Sequence, residues 1–144
     1  MIKYNDLIIF TLVIDLFLIY IYNTSKLNKF DKYNILSLFL VHLIFYIALI
    51  NKYHLILDIS HLIFVIQVYI ISLFSTNIKI LLLYVFVIVV MLCYWMIDKK
   101  CPLGQYERIK WLNKFLVRNK RLSSSLPFIV LPILFYKIYK NLIK

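Results

Sequence analysis

A single glycine, three prolines and two cysteines in 144 residues leave this chain short of the residues on which small β-rich or disulfide-stapled domains depend. With so little glycine, few positions are preset for the positive-φ turns that join β-hairpins. Cys93 and Cys101 are too few, and too close to a helix end, for a disulfide framework, so they leave the compartment open. The motifs of common chemistries are missing as well. The chain has no Walker loop, GxSxG, HExxH, CxxC or dinucleotide fingerprint, and an enzyme therefore has no support in its motifs. No 20 to 50 residue period repeats, which gives no ground for a solenoid or an inverted-repeat transporter. Gly104 stands alone, so no GxxxG pair is available for close helix dimerisation.

Acid is scarce too. Six Asp and Glu face 17 Lys and Arg, a formal net charge of +11. In a soluble protein that excess would raise nucleic acid as a partner. Here the cations sit between and after long apolar runs, where charge-biased topology and anionic headgroups account for them, so nucleic acid is not the expected partner. Hydrophobic residues make up 64% of the chain and charged ones 16%, at a mean hydropathy of +0.89. A soluble domain averages roughly 45–50% and about 25%. The apolar residues run continuously rather than alternating, which argues against an outer-membrane barrel, and helices satisfy their own backbone bonds in lipid. The expected fold class is all-α, an integral membrane helical bundle with four or five transmembrane helices and a basic amphipathic helix.

The apolar runs are Leu7 to Tyr22, Ile35 to Ile50, Leu55 to Phe74 and Ile78 to Ile97. The first begins like a signal peptide, but no small-residue cleavage site follows it and further runs do, so it reads as a retained span. Asn51 to His54 predicts a tight hairpin between the second and third. From Asp98 to Arg121 the composition turns basic. On a helix over 105–121, Tyr106, Ile109, Leu112, Phe115 and Leu116 share one face while Lys110, Lys114, Arg118 and Arg121 share the other. With Trp111 at headgroup depth, this is the pattern of a membrane-surface helix on anionic lipid. A basic helix packed on the bundle is the alternative. The heaviest basic block places 98–121, and with it the N-terminus, on the cytoplasmic side, against a competing block at Lys26, Lys29 and Lys32. Leu126 to Tyr139 contains Pro127 and Pro132; it reads as a fifth span kinked at Pro132, or as a re-entrant or interfacial segment, after a polar connector Ser123 to Ser125.

Ionisable side chains inside spans carry the most information, because each costs roughly 2.5–3.5 kcal/mol on insertion scales unless it faces the bundle or water. They are Asp15, His42, Asp58 and His61. Asp58 and His61 are three apart, which puts them on one helix face. His42 and His61 are nearly equidistant from the hairpin centre, hence at one depth, where paired histidines could bind haem or a transition metal. Asp58, His61, Cys101 and Glu107 could meet at one end of the bundle with ligand types suited to zinc. The other reading gives these residues interhelical hydrogen bonds only, with Asp15 as a partner for His42 or facing a neighbouring subunit.

The segment Trp95-Met-Ile-Asp-Lys-Lys-Cys101-Pro-Leu-Gly-Gln-Tyr-Glu107, with Asp58-Ile-Ser-His61 upstream, resembles small uncharacterised multi-span membrane proteins. These are a bacterial family of unknown function and, more loosely, proteins of large DNA viruses. In them an Asp-x-x-His helix precedes a later span ending in Cys-Pro-Leu-Thr-x-x-Glu; Gly104 here replaces the threonine. The resemblance covers about residues 55 to 110. It implies a four-helix core and a viral or microbial setting, and supplies no activity. The sequence thus leads to a non-enzymatic membrane component that acts through partners, as a homo-oligomer or by organising the bilayer, with no cofactor expected. The alternative is a metal-, haem- or proton-handling protein.

Overall fold

A computed structural model describes residues 4–98 and 120–143, which form five helices: α1 Tyr4–Thr24, α2 Lys29–Ile50, α3 His54–Phe74, α4 Ile78–Asp98 and α5 Lys120–Leu142. At 1.5 Å per residue, helices of this length reach about 30 Å, the thickness of a hydrocarbon core. Three of them are long and apolar enough to cross a membrane, over Asp6–Thr24, Lys29–Ile50 and His54–Phe74.

The helices pack as an antiparallel bundle, and the seams show why. On α1 the buried positions are Leu7, Thr11, Ile14, Leu18 and Ile21; on α2 they include Asp31, Ile35, Leu38, His42, Phe45 and Leu49. Steps of four and three alternate along both, which is the seam of helices packed nearly parallel to one another's axes. Val130, Leu134 and Ile138 of α5 close on Ile80, Leu81, Tyr84 and Val87 of α4 in the same core. A smaller cluster of Leu7, Phe45, Ala48, Leu49 and Leu57 fills the other end between α1, α2 and α3.

The surface is the reverse of a soluble protein's. Leu16 is 66% exposed, Ile50 72% and Phe128 64%, whereas Asp31, His42, Asp58, Gln67, Ser72 and Ser75 are buried. In water so much exposed apolar area would drive association; facing lipid it costs nothing. The buried polar groups then have to find partners inside the bundle.

Local signals set the ends. Helix α2 starts at Lys29, six residues before the apolar run, because the Asn28 side chain accepts from the Asp31 backbone N–H at 2.7 Å. The polar stretch 29–34 is therefore helix rather than connection. Asn77 caps α4 in the same way, accepting from the backbone N–H groups of Lys79 and Ile80 at 3.0 and 3.3 Å. Between α2 and α3 the chain turns in three residues. The Tyr53 N–H bonds back to the Ala48 carbonyl at 2.8 Å and that of Lys52 to Leu49 at 3.3 Å. This is the double closure that ends many helices, and it puts Lys52 in the left-handed region at φ 58. The expected hairpin is thus present.

Helix α5 runs unbroken through Pro127 and Pro132. It takes in Ser123–Ser125, read from sequence as a connector, and Lys120 and Arg121, read as the end of the basic helix. The rest of that helix, residues 105–119, lies outside the described residues.

The five helices alternate in direction. The turns α1–α2 and α3–α4 and the end of α5 meet at one end of the bundle, the two-turn end. The α2–α3 turn lies at the other, where α4 finishes and α5 begins. Contacts across the two-turn end fix this arrangement: Asn28 Nδ2 to Thr76 Oγ1 at 3.4 Å, Asn141 Nδ2 to the Thr76 carbonyl at 3.2 Å, and the rings of Phe30 and Phe74 at 5.8 Å.

Candidate functional site: two interhelical polar clusters

The first cluster joins α1 to α2. Asp15 lies one turn past Thr11 on the α1 seam, and it meets His42 and Tyr46, which are four residues apart on one face of α2. His42 Nδ1 lies 2.6 Å from Asp15 Oδ1, and the Tyr46 hydroxyl donates to Asp15 Oδ2 at 2.7 Å. Each carboxylate oxygen therefore has a partner inside the bundle. The site is mostly shielded, with side-chain exposures of 6% for His42 and 14% for Asp15. An ionised carboxylate only accepts, so with Asp15 ionised the Nδ1 of His42 carries the hydrogen, and in the neutral ring Nε2 keeps its lone pair. On its other side the imidazole meets the Phe64 ring of α3, with centroids 5.9 Å apart.

Of the two partners foreseen for Asp15, His42 is the one found. Tyr46 was missed, although its spacing from His42 announced it. A second polar contact ties α2 to α3: Gln67 Nε2 donates to Ser37 Oγ at 2.8 Å.

The other cluster lies at the two-turn end and was not foreseen. Lys137 of α5 reaches over the end of α3, where the last carbonyls of any helix lack partners. Its ammonium donates to the carbonyls of Ser72, Leu73 and Ser75 at 3.1, 2.7 and 2.7 Å. An ammonium has three N–H donors, so all are used. The cation also sits where the helix dipole is negative. Beneath it lies Asp31, 1% exposed. The Ser75 hydroxyl and the Lys137 charge act on its carboxylate, while Oδ1 has no hydrogen-bond partner. Lys79 bridges α4 to α1, donating to Thr24 Oγ1 at 3.2 Å and standing 5.0 Å over the Tyr20 ring.

Asp58 is buried and His61 half-buried on α3, and both make contacts. The two others named with them as zinc ligands, Cys101 and Glu107, lie outside the described residues, as do Lys110, Trp111, Lys114 and Arg118. Arg121 falls in the first turn of α5. Among the described residues no group of three or more His, Cys, Asp or Glu side chains could hold a metal ion. No protein-family model, no curated protein and no solved structure matches this chain.

Proposed function

We propose that this chain is a multi-pass membrane component without catalytic activity, a helical bundle that works through lipid and protein contacts. One observation carries the reading: Asp15, the mostly shielded carboxylate of α1, is spent on His42 and Tyr46 of α2 inside the bundle, while the outward faces are apolar. Asp15 has a partner for each carboxylate oxygen, and Gln67 Nε2 donates to Ser37 across α2 and α3, its Oε1 staying without a partner. In this reading α4 and α5 also cross, giving five spans, since α4 is uniformly apolar and α5 packs along it. The basic segment 98–121 then lies against anionic headgroups on the cytoplasmic side. The Asp-x-x-His and Cys-Pro-Leu resemblance supports a microbial or viral setting.

A second reading rests on the Asp15–His42 contact. Histidines that ligate metals or haem usually donate their other ring N–H to a carboxylate, which fixes the tautomer and leaves the ligating nitrogen bare. His42 is held in that manner. A cofactor- or proton-handling role would then use Nε2.

The two readings part in one experiment. The detergent-purified protein from carbonate-washed membranes is subjected to metal analysis and absorption spectroscopy, beside His42→Ala and His61→Ala variants. The leading reading expects a colourless, metal-free protein that stays in the washed membrane. Stoichiometric metal or a Soret band that either variant abolishes would replace it with the second.

A further inference from the structure

The two-turn end gathers lysines that sequence order scatters. Lys26 lies in the α1–α2 turn, Lys29 and Lys32 on the first turn of α2, and Lys140 on the last turn of α5. All four are exposed. None of the four ammonium groups makes a hydrogen bond or an ion pair with another described residue. Lys79 adds a fifth cation beside them. The single described acid at this end is Asp31, buried and already answered by Lys137 and Ser75. The outer surface of the two-turn end is thus cationic, with no acid among its described residues.

What lies just below these lysines matters as much. Tyr20, Tyr33, Tyr136 and Tyr139 are exposed at 55%, 71%, 65% and 64%, and Phe74 at 63%. Exposed tyrosines one or two turns in from a helix end are the side chains that settle at the boundary between hydrocarbon and headgroups. They place the lysines at the level of the phosphates.

We infer that the two-turn end is a binding surface for anionic phospholipid headgroups, formed by Lys26, Lys29, Lys32 and Lys140. It lies at the opposite end from the one where α4 finishes and α5 begins; with the basic segment 98–121 on anionic headgroups, as proposed above, the bundle engages anionic lipid in both leaflets. Lysines within a Debye length of a negative membrane surface are each attracted to it, and the attraction is screened by salt. The charge is complementary, and nothing among the described side chains at that end competes for it. The inference rests on the bundle being embedded in a bilayer.

The test uses the full chain reconstituted in phosphatidylcholine vesicles carrying trace spin-labelled phosphatidylglycerol or phosphatidylcholine. Electron paramagnetic resonance reads the motionally restricted lipid at the protein surface. The wild type is expected to prefer phosphatidylglycerol several-fold at low salt and less at high salt. K26Q/K29Q/K32Q/K140Q should lose a large part of that preference, K26R/K29R/K32R/K140R should keep it, and K110Q/K114Q/R118Q/R121Q should lose a separate part. Circular dichroism confirms that each variant is folded. An unchanged preference in the folded glutamine variant, or one lost equally in the arginine variant, would overturn the inference alone. Absence of any restricted lipid around the wild type would instead overturn the embedding itself.

Discussion

Lys137→Met keeps an unbranched side chain of similar reach and deletes the ammonium. Three carbonyls then lose their donor. That of Leu73 is exposed and rehydrates, whereas those of Ser72 and Ser75 are partly buried. At about 1 kcal/mol for each carbonyl left without its partner, these two contribute about 2 kcal/mol. Asp31 loses its counter-charge as well, and a buried carboxylate deprived of its cation accounts for a further 1 kcal/mol or more. The total is about 3 kcal/mol. Unfolding in mixed micelles with increasing SDS, followed by circular dichroism, reads the loss directly. Asp31→Asn should be destabilising in the wild type yet restore about 1 kcal/mol in the Lys137→Met background, because it removes the stranded charge. A Lys137→Met variant within about 0.5 kcal/mol of wild type would refute the reasoning, as would an Asp31→Asn effect of equal size and sign in both backgrounds.

The first cluster makes a different forecast. Tyr46→Phe should cost about 1 kcal/mol by the same assay, in the range measured for interhelical hydrogen bonds in membranes. Asp15→Leu with His42→Leu should cost less than Asp15→Leu alone, since the double change strands only the Tyr46 hydroxyl and not the imidazole as well. Lys52→Gly should stabilise the protein by about 0.5–1 kcal/mol, because glycine adopts φ 58 without the Cβ contact that lysine endures; a loss of stability would argue against the turn. Asn28→Ala should cost about 1 kcal/mol and raise hydrogen exchange at the Asp31 amide, which donates to the Asn28 side chain.

How far the sequence led depends on the distance over which each signal acts. The runs Leu7 to Tyr22, Ile35 to Ile50, Leu55 to Phe74 and Ile78 to Ile97 each fall inside a helix of the structure, because continuous apolar stretches without glycine leave the backbone little alternative. The start of α2 was hidden because Lys29 to Asn34 is polar in composition, and only the Asn28 cap reveals it as helix. Ser123 to Ser125 misled for the same reason. Serine composition says connector, yet these residues lie within α5. Asp15 and His42 could be singled out as charges needing partners, and Tyr46 by its i+4 spacing. Lys137 could not, since its acceptors are main-chain atoms more than 60 residues away that any sequence would possess.

That last contact has a bearing on how the molecule is assembled. Asp31 is synthesised 106 residues before Lys137, and until α5 docks, the closing carbonyls of α3 lack their donor and the Asp31 carboxylate has the Ser75 hydroxyl but no cation. A chain holding α1 to α4 alone would keep the Asn28–Thr76, Phe30–Phe74 and Lys79–Thr24 contacts at its two-turn end but leave those carbonyls and that carboxylate open to water. One ammonium, arriving with the last of these helices, takes up those carbonyls and ties α5 to the end of α3.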